Sequence, residues 1–157
     1  MRILVVSDTH RRCSPLSEVL FREPDAKLVI HLGDGEGDVA RVREEFPDRI
    51  FECVAGNCDF MPINLPVRTL MFEGRLIYCT HGHLHNVKSG TAAVIAAARS
   101  NNADICLFGH THEPLYRCVS GLHVMNPGSL GNPRNAAPTY GIIDITKDEI
   151  VCDIRKL

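Results

Sequence analysis

Apolar residues along the chain fall into short runs separated by polar, Gly- or Pro-containing stretches. Ile3 to Val6 is a continuous run rich in β-branched residues and reads as a buried strand. After a polar gap, Ser14-Pro15 opens a segment with Leu16, Val19 and Leu20 at helical spacing. Leu28-Val29-Ile30 repeats the strand signal, and Val39, Val42 and Phe46 then mark one face of a helix that Pro47 should end. Ile50 to Val54 reads as a third buried strand. The first third is therefore expected to run β-α-β-α-β, a connection pattern that gives parallel strands with helices packed on the sheet.

Beyond Pro62 and Pro66 the pattern changes. Thr69 to Phe72 and Leu76 to Cys79 flank Glu73-Gly74-Arg75 as a hairpin would, and an Ala-rich helix follows at about Gly90 to Ser100. Ile105 to Phe108 is again a strand, Leu115 to Val119 pairs with Leu122 to Met125 across Ser120-Gly121, and Tyr140 to Ile145 with Ile150 to Ile154 forms a last hairpin. Parallel strands early and antiparallel hairpins late predict an α/β protein with two sheets packed face to face and helices outside. No internal repeat, low-complexity tract or linker interrupts this pattern.

Composition narrows the function classes. A chain of 157 residues, 45% of them apolar, is expected to form a single domain over 1–157, with enough core to hold without disulfides or a structural metal. Any metal is therefore expected to serve function. Seventeen Lys and Arg against nineteen Asp and Glu leave a formal charge of −2 with no basic block, so no dedicated nucleic-acid-binding surface is expected. The seven cysteines are odd in number, widely spread and without a Cys-x-x-Cys pair, which argues against a disulfide framework or zinc ribbon and for a reducing cytoplasm. The first apolar run is too short for a signal-peptide core, and no run approaches the ~20 residues of a membrane span, so no membrane partner is expected.

The eight histidines change the picture more. Asp8-Thr9-His10 follows the first strand, Gly33-Asp34 the second, Gly56-Asn57 the third, His81-Gly82-His83 the Leu76 to Cys79 strand, and Gly109-His110-Thr111-His112 the Ile105 to Phe108 strand. Five strand ends thus carry metal-ligand residue types beside small residues that let the backbone turn. In open α/β sheets the carboxyl ends of strands share one edge, where ligands bind. Asp8, His10, Asp34, Asn57, His81, His110 and His112 make seven side chains, too many for one tetrahedral ion and suited to a pair of divalent transition metals.

On these residues the sequence resembles the calcineurin-like metallophosphoesterases. The motifs occur in that family's order across nearly the whole chain, and Gly56-Asn57-Cys58-Asp59 and Asn126-Pro127-Gly128-Ser129 resemble its compact bacterial and archaeal phosphodiesterase branch. The resemblance implies a four-layer α/β/β/α sandwich of two mixed sheets. It implies that Asp8, His10 and His112 hold one metal, that Asn57, His81 and His110 hold the other, and that Asp34 bridges them. The two ions per chain would be manganese first, with nickel, zinc, iron or magnesium as alternatives. The implied reaction is hydrolysis of a P–O ester by in-line attack of a metal-bridging hydroxide. Two dications, two carboxylates and that hydroxide leave about +1 at the centre, matched to a phosphodiester's single negative charge.

The sequence departs from the family at one place. Larger members follow the metal-binding Asn with a His that assists the leaving group, and here that position is Cys58. His83 is the first candidate to supply the proton instead, with Asp59 and Cys58 as others. A small phosphoester is the expected substrate, with its binding residues unassigned; Arg11, Arg12 and Arg134 either meet phosphate or are solvated. His31 is either an outer support or a satisfied core histidine, His85 and His123 are expected at the surface or in packing, and Asn126 to Ser129 either shapes the cleft rim or is a tight loop. A phosphomonoesterase, a mononuclear zinc hydrolase and a non-catalytic scaffold like the retromer subunit of this fold are the competing readings. The sequence leaves a homo-oligomer open.

Overall fold

The computed structural model describes residues 1–134 and 137–157. Ten strands form two five-stranded mixed sheets. The first contains β1 (Arg2–Val6), β2 (Leu28–His31), β3 (Ile50–Cys53), β9 (Thr139–Ile145) and β10 (Ile150–Lys156), in the order β10-β9-β1-β2-β3. The second contains β4 (Val67–Phe72), β5 (Arg75–Thr80), β6 (Ile105–Leu107), β7 (Leu115–Val119) and β8 (Leu122–Asn126), in the order β4-β5-β6-β8-β7. β1, β2 and β3 are parallel, as are β5, β6 and β8, while β9, β10, β4 and β7 run antiparallel to their neighbours.

Strand alternation assembles the layers. On β1, Ile3 and Val5 point between the sheets, where they meet Ile30, Ile77, Ile105, Leu107, Met125 and Ile143. Leu4 and Val6 point outward, onto Leu16, Val19 and Leu20 of α1 (Cys13–Arg22) and Val39 and Val42 of α2 (Glu36–Val42). On the second sheet Cys106 and Val124 face outward onto Val94 and Ala98 of α3 (Ala92–Ser100). The result is the α/β/β/α sandwich that the resemblance implied. Two tight hairpins carry the expected signals: Glu73-Gly74 and Ser120-Gly121 both have positive φ at both central positions, the twist that two-residue hairpins need.

Two expectations change. The second helix was expected to reach Pro47 but stops at Val42, because 43–46 tighten into i→i−3 turns (Glu45 N–H to Val42, Phe46 N–H to Arg43). A residue before proline disfavours the helical region, and Phe46 turns back to pack edge-on against Phe21 at 4.9 Å between ring centroids. The third strand is not buried: β3 is a sheet edge, with Ile50 58% exposed. The remaining boundaries agree to within two residues. Among the described residues no helix is long and apolar enough to cross a membrane, and all seven cysteines are unpaired.

Candidate metal centre

The loops after β1, β2, β3, β5 and β6 meet at one end of the sandwich, and all seven candidate ligands stand on them. The first group is Asp8, His10 and His112: Asp8 Oδ1 lies 3.1 Å from His112 Nε2 and 3.6 Å from His10 Nε2, and the two imidazole nitrogens are 3.1 Å apart. The second is Asn57, His81 and His110: His81 Nε2 lies 3.1 Å from Asn57 Oδ1 and 3.1 Å from His110 Nδ1. Asp34 stands between them, its Oδ2 3.3 Å from His81 Nε2 and 3.8 Å from His10 Nε2. Cys58, outside the predicted ligand set, also brings its thiol beside His10 and Asp34.

The backbone is bent to make this possible. Asp8, His10, Arg11, Asp34, His110 and His112 all have φ between +46° and +69°, a region that costs L-residues energy and that Asp and His tolerate better than most. Glycine permits the close approach of two loops: at Gly33, φ +93°, an added Cβ would stand 2.8 Å from Gly56 Cα, and at Gly56 it would stand 2.0 Å from Asp34 Oδ1.

Hydrogen bonds behind the centre decide which atoms face it. His81 Nδ1–H donates to the Leu32 carbonyl at 2.7 Å and His112 Nδ1–H donates to Asn132 at 2.7 Å, so each ring turns an Nε2 lone pair inward. Asp8 Oδ2 accepts from Ser7 Oγ at 2.5 Å and from the His110 amide at 3.1 Å. Asp8 Oδ1, in a residue with no exposed surface, accepts no hydrogen bond among the described residues. A buried carboxylate oxygen without a donor costs free energy, and facing imidazole lone pairs repel; a divalent cation between them removes both penalties. This donor set therefore fits divalent metal.

With protons in place of a cation between them, the same groups stabilise one another. Burial works against charge on Asp8, yet the His10 and His112 imidazoles hold its carboxyl far below the ordinary range. Asp34 likewise sits at about 2 despite burial, because of His81 and the Cys58 amide. His112 is raised by Asp8, and His81 is raised by Asp34 and Asp8 in spite of its burial. His110 is lowered to about 4 by burial and the neighbouring His81 and Lys88.

Other residues hold the cluster from behind, and for Asp59 the role differs from the proton donor that the sequence offered. Asp59 accepts four amides: Gly35 and Glu36 on Oδ1, at 2.9 and 3.0 Å, and Asp34 and Gly56 on Oδ2, at 2.9 and 2.8 Å. It thereby clamps the Asp34 turn to the Asn57 turn. His31 is an outer support: the Gly33 amide donates to its Nδ1, its Nε2–H donates to Thr9 Oγ1, and Thr9 donates to Asp38 Oδ2. Asn126 holds the Gly109 carbonyl and Ser129 the Asp8 carbonyl, so Asn126 to Ser129 braces the centre from behind. His85 bonds Tyr78 and His123 bonds Tyr116, away from the centre. Arg12 donates to Gly131 and Arg134 pairs with Glu113, while Arg11 lines the cleft.

His83 follows β5 on a single 3-10 turn, His83–His85. Its ring lies 5.5 Å from that of His81 and 6.1 Å from that of His110, and its buried Nδ1 has no hydrogen-bond partner among the described residues.

A two-sheet sandwich with a mixed Asp, Asn and His cluster at its loop edge defines a metallophosphoesterase. The match is direct: residues 1–148 fit the calcineurin-like phosphoesterase superfamily domain, and the chain belongs to that family of metal-dependent phosphoric ester hydrolases. It is 33% identical over 150 residues to the probable metallophosphoesterase YsnB of Bacillus subtilis, covering 94% of this chain and 86% of YsnB. It is 28% identical over 168 residues to the phosphodiesterase YfcE of Escherichia coli, covering 92% and 88%. Among solved structures, a predicted phosphoesterase from Streptococcus pneumoniae superposes with a TM-score of 0.84 at 26% identity, covering 99% of this chain and 88% of that one. Vps29 of Entamoeba histolytica, solved with zinc, shares the fold with a TM-score of 0.78 at 21% identity over 99% of both chains.

Proposed function

We propose that residues 1–157 form one phosphodiesterase domain that hydrolyses a P–O bond of a small diester with two divalent ions, in a reducing cytoplasm. The observation that carries the reading is Asp8 Oδ1, fully buried and without a donor, facing imidazole nitrogens whose tautomers are set from behind. Asp8, His10 and His112 would hold one ion, Asn57, His81 and His110 the other, and Asp34, within 4 Å of both groups, would serve each. Manganese suits a set this rich in oxygen and imidazole, with nickel, zinc, iron and magnesium as alternatives. Bound ions would supply Lewis acidity, polarising phosphoryl oxygens and bringing the pKa of water from 15.7 toward ~7.

The chain's own residues would do the rest. The braced imidazoles and Asp34 would fix where the ions sit, and the phosphodiesterase name of the relative YfcE supports a diester over a monoester. For the leaving oxygen we assign proton delivery to His83. Asp59 is the weaker candidate because its oxygens are taken up by four amides, and Cys58 because burial and Asp34 raise its thiol pKa. Burial and His81 lower the His83 pKa, which makes the protonated ring a stronger acid and a scarcer one. The scaffold reading has the Vps29 fold in its favour, but every ligand position here keeps a competent side chain.

The test is hydrolysis of bis(p-nitrophenyl) phosphate and of p-nitrophenyl phosphate with each metal supplied in turn, alongside elemental analysis. Diester turnover well above monoester turnover with two ions per chain is expected. Metal content without turnover of either ester overturns the enzyme reading. His83→Gln should cost about 10²–10⁴-fold on an alkyl diester, the usual worth of a general acid, and far less on the aryl diester, whose leaving group needs no proton. Equal losses on both would remove His83 from that role.

A further inference from the structure

Beside the centre lies a cavity of about 430 Å³, a size that accepts a nucleotide-like molecule. Its lining includes His10, Asp34 and Cys58 of the centre together with Arg11, Arg41 and Phe60. Three carboxylates also line it, and each is already engaged. Asp59 accepts four amides, Glu36 accepts the Ile63 and Asn64 amides, and Asp38 accepts Thr9 Oγ1, the Arg11 amide and the Cys13 thiol. Neither Arg11 nor Arg41, both exposed, has a carboxylate within 4.0 Å among the described residues; Arg41 instead approaches the Cys13 thiol.

Their placement is fixed by the same bonds. The Arg11 amide is tied to Asp38 Oδ2 at 2.9 Å, and Arg41 follows Asp38 by three residues on α2, hence on the same helix face. Asp38, the acid that would ordinarily neutralise Arg41 at this spacing, is spent on the Thr9, Arg11 and Cys13 donors. Two guanidinium groups thus face a cavity continuous with the centre, and guanidinium matches phosphate in geometry and charge. Phe60, 89% exposed, lines the same cavity with an aromatic face on which a nucleobase can stack whatever its identity.

We propose that this cavity is a specificity pocket for nucleotide diesters: the scissile phosphoryl group at the centre, one base against Phe60, and a second phosphate held by Arg11 and Arg41. The proposal rests on the phosphodiesterase reading and adds the substrate class. It predicts that a thymidine dinucleotide bearing a terminal phosphate, supplied at either its 5′ or its 3′ end, has a KM about tenfold below that of the same dinucleotide without one, the scale of one charge-assisted contact. The advantage should vanish in the double variant Arg11→Ala, Arg41→Ala and persist in Arg22→Ala, which removes a cation on α1. Phe60→Ala should raise KM for both dinucleotides with little change in kcat.

Equal KM values with and without the terminal phosphate, or an advantage that survives the double substitution, would overturn the pocket while aryl diester turnover keeps the phosphodiesterase reading. If no diester is turned over with any metal, that reading fails, and titration calorimetry with thymidine 3′,5′-bisphosphate decides the pocket. Binding that weakens about tenfold or more in the double variant sustains it; absent binding, or binding indifferent to the substitutions, overturns it.

Discussion

The two sheets contribute different chemistry to one centre. Loops of the first sheet supply the carboxylates and the amide, Asp8, Asp34 and Asn57, together with His10. Loops of the second supply imidazoles alone, His81, His110 and His112. Their supports differ as well. On the first sheet the carboxylate-bearing turns are held by amides converging on acids, chiefly Asp59 and Asp38. On the second, imidazoles are oriented by carbonyls, and the carbonyl that orients His81 belongs to Leu32, on the first sheet. The His110 amide in turn donates to Asp8. Charge therefore comes chiefly from one half, and the orientation of the neutral donors depends on both.

The comparison predicts that a lost charge on the first sheet has the largest effect. Asp34→Asn keeps the shape and removes the carboxylate within reach of both ligand groups. Loss of diester hydrolysis should exceed the ~10²-fold that removing an outer support of a metal site costs, with fewer ions per chain by elemental analysis. Full activity with two ions would refute the shared role of Asp34.

Next comes the contact between the two turns of the first sheet. In Gly56→Ala the new Cβ would meet Asp34 Oδ1 at 2.0 Å and its amide at 2.4 Å, so the turns must part. Overpacking of this kind costs about 1–3 kcal/mol, and at this length each kcal/mol moves Tm by about 2–4 °C. Thermal denaturation should show that loss together with impaired metal binding. An unchanged Tm would mean that the loops yield more freely than their bonds suggest.

The seven side chains that meet at the loop edge were legible in the sequence as candidates because each follows a short apolar run, and a strand end needs only local residues to be recognised. The clamp was not. Asp59 lies 24 residues from Gly35, and an aspartate after Asn-Cys looks like any turn residue until the fold brings four amides to it. The same holds for Asp38 and Thr9, and for which of its two readings His31 would take, since their hydrogen bonds join segments more than 20 residues apart. The helix ending at Val42 and the exposure of Ile50 escaped for a related reason: the apolar pattern marks a contact face, but strand order decides which strand is the edge. Asp59→Asn tests the clamp. An amide keeps one acceptor oxygen and replaces the other with a donor, so two of the four amide bonds are lost. Metal affinity by calorimetry should fall about 10- to 100-fold while the far-UV spectrum is kept; unaltered affinity would reduce Asp59 to a turn residue.

The smallest effect is expected at Cys58, where the family's histidine is missing. Its amide donates to Asp34 Oδ1 at 2.7 Å, and its sulfur accepts from Asn57 Nδ2 at 3.3 Å, a bond that a serine hydroxyl can also accept. The thiol lies close enough to His10 and Asp34 to be a ligand in its own right, and a thiolate there would pull the site toward zinc. But burial and Asp34 both raise its pKa, so the deprotonation that ligation needs costs more here than at an ordinary cysteine. Cys58→Ser preserves the amide and removes the sulfur. Metal content and the order of activation by manganese, nickel, zinc and magnesium should both stay as in the parent, with turnover changed only slightly. A shift of preference away from zinc would instead make Cys58 an eighth ligand and move part of the charge balance onto sulfur.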